Sequence, residues 1–172
     1  SGDGSLMLID AGEGAYSSML RCGLDPVKVE ALIITHRHGD HILGLPTIAL
    51  MHRRNGRRLV VLGLRETLDA AAKLLDISGV PNWLTALSFV EISDGDEFSV
   101  GSFKVKAVKA NHTVPAVSLK VEVDGKCVAY SGDTRYNRRF VEAVKGCDVL
   151  IHEASSYREE TKLHGHSTYM DA

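Results

Sequence analysis

The sequence predicts a mixed α/β fold, in which a sheet-rich sandwich is covered by helices. Short apolar runs such as Leu6–Ile9 and Ala31–Thr35 are bounded by glycine or polar residues, as buried strands are. The stretch Glu66–Leu75 carries its apolar residues at helical spacing. From Leu87 onward the apolar residues alternate with a period of two, which is typical of antiparallel strands with one buried face.

The first half of the chain is predicted to alternate strands with helices. The strand Leu6–Ile9 leads into a glycine-rich turn, and Gly23 ends the predicted helix Ala15–Cys22. Asp25 and Pro26 begin a short helical turn as its cap and its first residue. The remaining elements predicted here are the strand Ala31–Thr35, the helix Leu43–Arg54, the strand Leu59–Leu62 and the helix Glu66–Leu75.

The second half is predicted to be richer in strands. Val117–Val123 and Cys127–Ser131 flank Asp124-Gly125, a strong signal for a hairpin. Residues 1–172 are long enough to bury a sizeable core, and we expect one domain. The other predicted features are the alternating residues Phe89, Phe98, Val100, Phe103, Val105 and Ala107, the helix Phe140–Val144, the strand Val149–Ile151 and an irregular segment Glu153–His166.

The composition is that of an ordinary globular protein, with 44% hydrophobic and 24% charged residues. The formal net charge is -2, so no broad basic field attracts nucleic acid, and any RNA contact has to use local patches. No apolar run approaches the length of a membrane span. Two arginine groups offer such patches: Arg53, Arg54, Arg57 and Arg58, and then Arg135, Arg138 and Arg139.

The three cysteines, Cys22, Cys127 and Cys147, are odd in number, widely spaced and without a CxxC pair. We therefore expect neither a disulfide scaffold nor a thiolate zinc site, and a reducing, cytoplasmic environment. The residues from Ser1 onward do not have the pattern of a signal peptide, and the first predicted apolar strand begins at Leu6. We expect the chain to be a segment truncated at both ends.

The stretch Thr35–His41 places His36, His38, Asp40 and His41 directly after a predicted strand. Imidazoles and carboxylates are side chains that bind zinc and similar cations. His36 and His38 stand two apart in an extended segment, so their side chains project to one side. Asp40 and His41 follow as the chain turns and can aim at a second ion. The sequence therefore predicts a metal site that holds two ions.

Further polar residues follow strand-like runs, namely His112, Asp133, Glu153 and, later, His166. Asp133 stands after Gly132, which permits a tight turn, and its carboxylate can bridge two cations. Two cations can clamp the attacking and leaving oxygens of a displacement and lower the pKa of a bound water molecule. This chemistry serves the hydrolysis of an ester or a phosphodiester.

The run from His36 to His41 reads HxHxDH, and with it the chain resembles the metallo-β-lactamase-fold superfamily. Within that superfamily it is similar to the ribonuclease Z branch, the tRNA 3′-processing endonucleases. The finer resemblance is carried by Gly44-Leu45-Pro46, His112 with Pro115, Ser131-Gly132-Asp133-Thr134-Arg135, His152-Glu153-Ala154 and His166-Ser167-Thr168.

The resemblance implies a four-layer αβ/βα sandwich with a dinuclear zinc site, in which manganese or iron can replace zinc. Asp40 would also orient or deprotonate the attacking water, and His166, supported by Glu153, would protonate the leaving 3′ oxygen. The family also implies a homodimer and one more histidine ligand, which would lie beyond Ala172. The implied ligands are His36, His38 and His112 for one ion, Asp40 and His41 for the other, and Asp133 between them.

Three functions follow from these observations. The first is a zinc-dependent phosphodiesterase that hydrolyses an RNA 3′ extension, such as the 3′ trailer of precursor tRNA. The second is a metallo-hydrolase of a small phosphodiester or other ester. It is favoured by the slightly acidic net charge and by the stretch between Leu62 and Phe89, which has room for a helix and a turn but not for a long tRNA-gripping arm. The third is a binding or dimer-partner module without catalysis.

Other conspicuous residues have simpler interpretations. We expect His52 and His164 to lie at the surface and His152 to support the sheet or the site. Trp83 stands alone and is expected to pack rather than to stack on a base. Asp10 is expected to support the metal-binding loop.

Overall fold

The computed structural model describes all residues from 1 to 172, which form two compact units. The N-terminal unit comprises residues 3–92, and the C-terminal unit comprises residues 93–172 together with residues 1–2. Strands, helices and two sheets confirm the predicted α/β class, whereas the expectation of one domain stays a prediction. None of the helices has the length and apolar character that crossing a bilayer requires.

The N-terminal unit is built on a parallel sheet with the strand order β1-β2-β3-β4. Its inner strands are apolar on both faces, as parallel strands between helices need to be. In β2 every residue except Glu30 is buried. The strands are β1 (Leu6–Ile9), β2 (Val29–Ile34), β3 (Leu59–Gly63) and β4 (Leu87–Glu91), and the helices are α1 (Ala15–Arg21), α2 (Gly39–Ile42), α3 (Leu45–Arg54) and α4 (Arg65–Ile77).

The helix α4 confirms the amphipathic pattern seen in the sequence. Leu68, Ala71 and Leu75 are buried in the core of the N-terminal unit. Between β3 and β4 the chain holds only α4 and a 3₁₀ helix, Trp83–Thr85, as predicted for a stretch without room for an arm. Trp83 stacks on Phe89 with 5.2 Å between the ring centres, which confirms that it packs.

The C-terminal unit is built on a five-stranded sheet with the order β5-β6-β7-β8-β9. The first four strands are antiparallel, and β9 runs parallel to β8. Asp124 and Gly125 both have positive φ, as a two-residue type I′ hairpin loop requires, and confirm the predicted hairpin. The elements are β5 (Glu97–Val100), β6 (Phe103–Lys109), β7 (Val117–Val123), β8 (Lys126–Tyr130), α5 (Arg138–Val144), β9 (Val149–Ile151) and a 3₁₀ helix, Glu159–His164.

The prediction that His52 lies at the surface is wrong, because this residue is 0% exposed. His52 shares the buried face of α3 with Leu45 and Ile48, at the spacing of successive helical turns. Its Nδ1 lies 2.9 Å from the Ile48 carbonyl oxygen, and its Nε2 lies 2.9 Å from the Val29 carbonyl oxygen. The ring therefore joins α3 to the start of β2. His164 is exposed, as expected.

The structure also departs from the expectation for the cysteines. Cys127 and Cys147 form a disulfide with their Cα atoms 4.6 Å apart, while Cys22 is exposed and outside this bond. Cys127 lies in β8, and Cys147 precedes β9, the strand that pairs with β8. The backbone N–H of Asp148 donates to the Cys127 carbonyl at 2.9 Å and fixes the two segments side by side. Sequence spacing does not reveal a contact that arises from strand pairing.

Candidate metal centre

In the N-terminal unit the candidate ligands follow the carboxyl end of β2. The strands β1 and β2 are parallel, so their carboxyl ends lie at the same edge of the sheet. Asp10 follows β1 directly, and Thr35 and His36 follow β2 directly. This topology explains why residues 25 positions apart in the sequence meet at one place.

Asp10 holds the ligand loop together, as the sequence predicted. Its Oδ1 accepts the backbone N–H of Thr35 at 2.7 Å, and its Oδ2 accepts the Thr35 hydroxyl at 2.9 Å. The same Oδ2 lies 2.7 Å from Nδ1 of His41. A carboxylate only accepts hydrogen bonds, so Nδ1 of His41 carries the proton and Nε2 carries the lone pair that a cation needs.

His36 and His38 offer two nitrogens to one ion. Because the Thr35 hydroxyl donates to Asp10, its oxygen accepts from Nδ1 of His36 at 3.1 Å, and Nε2 of His36 carries the lone pair. Nδ1 of His38 lies 3.1 Å from that Nε2. Two nitrogens bound to one tetrahedral zinc ion at about 2.0–2.1 Å are roughly 3.3 Å apart, so this pair fits a shared cation.

Asp40 and His41 lie in the short helix α2, which turns the chain away from the first pair. Nε2 of His41 is 3.5 Å from Oδ2 of Asp40, and the His41 ring lies 4.1 Å from the ring of His36. The Asp40 side chain is 75% exposed, in contrast to the buried ring of His36. The Asp40 carboxylate is therefore accessible both to a cation beside His41 and to water.

In the C-terminal unit His112 and Asp133 lie next to each other. Nδ1 of His112 donates to the Gly165 carbonyl at 2.8 Å, so its Nε2 carries the lone pair. That Nε2 is 3.9 Å from Oδ2 of Asp133, and the His112 side chain is 0% exposed. Gly165 has a φ of +82°, and a Cβ there would lie 2.8 Å from Nδ1 of His112, so this contact depends on glycine.

Asp133, Glu153 and His166 offer ligand atoms within 4.8 Å of one another. Nδ1 of His166 lies 3.1 Å from Oε1 of Glu153 and 3.7 Å from Oδ2 of Asp133. Glu153 is fixed by the Thr134 backbone N–H at 2.7 Å and by the Ser155 hydroxyl at 2.8 Å. With Nδ1 directed at Glu153, Nε2 of His166 is the ring nitrogen left for a further contact.

Hydrogen bonds on its C-terminal side hold the His166 segment. The Ser167 hydroxyl donates to the Thr134 carbonyl at 2.6 Å, which ties His166 to the loop that carries Asp133. The backbone N–H and hydroxyl of Thr168 donate to Asp171 and hold the pKa of that carboxyl below its usual range. The sequence did not predict these supports, because the Ser167-Thr168 pair after His166 does not reveal its hydrogen-bond partners.

The structure thus brings the predicted residues together within each unit. His36, His38, Asp40 and His41 cluster in the N-terminal unit, and His112, Asp133, Glu153 and His166 cluster in the C-terminal unit. His152 contributes no ligand atom to these groups; its Nδ1 lies 2.7 Å from the carbonyl of Glu153, consistent with the supporting role expected for it. The donor sets contain only imidazoles and carboxylates, which suit zinc, manganese or iron.

Comparison with known proteins places the chain in a family. Residues 6–172 match the family described as the beta-lactamase superfamily domain, so the chain belongs to the metallo-β-lactamase superfamily. The ribonuclease Z of Methanopyrus kandleri is 30% identical over 98% of the chain and 71% of its own length. The ribonuclease Z of Bacillus subtilis is 28% identical over 92% of the chain and 68% of its own length. The chain therefore belongs to the ribonuclease Z family and is a metal-dependent hydrolase.

Solved structures confirm the fold. The metallo-beta-lactamase fold protein YhfI from Bacillus subtilis has a TM-score of 0.86 with 22% identity, covering 100% of the chain and 69% of that protein. Human tRNase Z, short form, has a TM-score of 0.81 with 23% identity, covering 96% of the chain and 74% of that protein. At these identities the likeness concerns the fold alone.

The role of Asp10 leads to a prediction on metal affinity. An Asp10→Asn variant is expected to bind zinc about 10- to 100-fold more weakly, because the neutral Asn amide lacks the negative charge with which Asp10 fixes the tautomer of His41. Competition with a fluorescent zinc chelator measures this change. Asp25→Asn is the control, since Asp25 only accepts from the Val27 backbone N–H at the start of a 3₁₀ helix. An unchanged affinity in Asp10→Asn would show that Asp10 does not support the ligand loop.

Proposed function

We propose that this protein is an endoribonuclease that cleaves a 3′ extension from RNA, with the 3′ trailer of precursor tRNA as its substrate. The observation that carries the proposal is the His166–Glu153 pair, 3.1 Å apart and beside Asp133. An imidazole held by a carboxylate through one ring nitrogen keeps the other available for proton transfer, and histidine is the most common general acid in enzymes. The relatives named ribonuclease Z support the same reaction.

The leaving group explains why RNA needs such a donor. Hydrolysis of an RNA phosphodiester expels the 3′ oxygen of a ribose, and this alkoxide is a poor leaving group unless it is protonated. His166 would donate a proton to that oxygen from Nε2, while Glu153 holds Nδ1. The expected products are an RNA body with a 3′-hydroxyl and a trailer with a 5′-phosphate.

The metal ligands of the proposal are those that the family pattern implies. His36, His38, Asp40 and His41 of the N-terminal unit and His112 and Asp133 of the C-terminal unit would serve as ligands; two zinc ions are proposed, with manganese or iron as substitutes. Divalent ions, when bound, polarise the phosphate and lower the pKa of a water molecule. Asp40, with its exposed carboxylate, would orient that water and accept its proton.

A second candidate function is the hydrolysis of a small phosphodiester or other ester. The alignment with the Methanopyrus protein runs over 213 positions, whereas the chain has 172 residues, so that relative carries at least 41 aligned residues (213 less 172) that this chain lacks. Without these residues the aligned region offers less surface for gripping a folded RNA. A small substrate needs no such surface.

Steady-state kinetics on two substrates separates these functions. The purified, metal-loaded protein is expected to release a trailer from precursor tRNA with a kcat/KM at least tenfold above that for bis(4-nitrophenyl) phosphate. Turnover of the small ester without RNA cleavage would establish the second function. Absence of both activities in a metal-loaded protein would support the third function, a partner module.

The assembly and location of the protein are also proposals. A homodimer is expected from the family resemblance, and light scattering of the purified protein measures it. A cytoplasmic location is proposed because the substrate, precursor tRNA, is an intracellular RNA, and cell fractionation tests it.

A further inference from the structure

A cleft of about 400 Å³ lies in the C-terminal unit beside His112. Its walls are the end of β6 with the segment that follows it, and the segment that follows Asp133. Both walls therefore belong to loops that carry predicted metal ligands, yet most of the residues in the cleft have no role in the site described above. The lining residues are Lys109, Ala110, Asn111, His112, Arg135 and Tyr136.

Hydrogen bonds between the two loops make the cleft rigid. The backbone N–H of Arg135 donates to the Asn111 carbonyl at 2.9 Å, and the Asn111 side-chain amide donates to the Tyr136 carbonyl at 3.0 Å. The Asn137 side-chain amide donates to the Lys109 carbonyl at 2.7 Å. A ligand in this cleft would meet walls that are already in place, so binding would cost little ordering of the protein.

The charge of the cleft is positive. Lys109 and Arg135 are exposed, and no acidic residue lines the cleft, although the carboxylate of Asp94 attracts Lys109 from outside it. Arg139, close by in sequence, differs: its guanidinium binds both oxygens of Asp94 at 2.9 and 3.2 Å. The Lys109 backbone N–H and the Arg139 guanidinium hold the pKa of Asp94 below its usual range, so this carboxylate offsets the charge of Arg139.

Tyr136 adds an aromatic surface to these cations. The residue is 54% exposed although it carries a large apolar ring. The Asn111 side-chain amide donates to the Tyr136 carbonyl and so holds the backbone that carries the ring. A cationic wall beside an exposed aromatic ring is the combination with which proteins bind single-stranded nucleic acid, since phosphates contact the cations and bases stack on the ring.

We propose that this cleft binds one nucleotide of the RNA substrate beside His112, with its phosphate at Arg135 and Lys109 and its base stacked on Tyr136. The proposal rests on the proposed function, since it names a contact for the same substrate. It also supplies a local basic patch for RNA, which the net charge of -2 requires.

The test compares kcat and KM for precursor tRNA in the metal-loaded protein and four variants. Tyr136→Ala is expected to raise KM on the order of tenfold, the loss of one stacked base, and Tyr136→Phe to restore the wild-type value. Arg135→Gln is expected to raise KM and to weaken the dependence of log(kcat/KM) on log[salt] by about 0.7. Arg139→Gln is the matched control, because the charge of Arg139 is already offset, and its KM is expected to stay at the wild-type value.

The outcomes separate this proposal from the proposed function. If the wild type cleaves RNA and Tyr136→Ala has the wild-type KM, the cleft proposal is wrong and the proposed function stands. If Tyr136→Phe behaves like Tyr136→Ala, stacking is excluded and the proposal is also wrong. If the wild type does not cleave RNA, the proposed function fails and the cleft proposal fails with it. Melting temperatures of the variants, whose substituted side chains are exposed, are expected to match the wild type.

Discussion

A His166→Ala variant is expected to cleave precursor tRNA about 10²- to 10⁴-fold more slowly than the wild type, mainly through kcat. The reason is that the ribose 3′ oxygen has to leave with a proton, and in the proposed mechanism the imidazole beside Glu153 supplies it. With bis(4-nitrophenyl) phosphate the loss is expected to be less than about tenfold, since nitrophenolate leaves without protonation. The ratio of the two losses is the measurement, because a general disruption of the site would lower both rates alike.

His164→Ala is the matched control for this prediction. His164 lies two residues before His166, is exposed, and donates no group to the site. Its variant is expected to keep the wild-type rate on both substrates. Equal losses on the two substrates in His166→Ala, or retained cleavage of RNA, would remove His166 from the role of general acid. Zinc content measured in parallel would show whether His166→Ala had instead released a metal ion.

A Gly12→Ala variant is expected to lose both stability and activity. A Cβ on Gly12 would lie 2.0 Å from the backbone carbonyl oxygen of Asp40, a distance that no backbone atom tolerates. Relieving this clash has to move the loop after β1 or the helix α2, which carries Asp40 and His41. We expect a loss of about 3 kcal/mol in the free energy of unfolding and a drop of about 6 to 12 °C in Tm.

Gly2→Ala is the matched control for the glycine prediction. A Cβ on Gly2 would lie 3.6 Å from Asp124, an ordinary contact. Calorimetry and hydrolysis of bis(4-nitrophenyl) phosphate, applied to both variants, are expected to show wild-type values for Gly2→Ala and low values for Gly12→Ala. A wild-type Tm in Gly12→Ala would mean that the loop and α2 are not packed as closely as the structure shows.

The sequence predicted the framework well, because apolar periodicity reports directly on burial. The strand Leu6–Ile9 and the strand Val149–Ile151 have the predicted bounds, and the Asp124-Gly125 hairpin follows from the positive φ that these residues adopt. The density of ligands from His36 to His41 predicted a metal site before any geometry was known. These signals are local, so a single sequence contains them.

Features that depend on packing between distant segments were not predictable in the same way. A polar side chain is ordinarily exposed, yet His52 lies on the buried face of α3, where two backbone carbonyl oxygens contact its ring nitrogens. The bond between Cys127 and Cys147 depends on the pairing of β8 with β9. Likewise, Gly165 and His112 are 53 positions apart in the sequence, and no motif predicts the hydrogen bond between them.

The central claim is that the histidines after β2 hold a metal ion of a hydrolytic centre, because Nε2 of His36 and Nδ1 of His38 lie 3.1 Å apart. Metal content per chain, measured by mass spectrometry after dialysis, tests it in His36→Ala, in His38→Ala and in the double variant. If both histidines hold the same ion, each single variant is expected to lose about one ion, and the double variant to lose no more than either single variant. Losses that add up in the double variant would contradict the account, because His36 and His38 would then hold different ions.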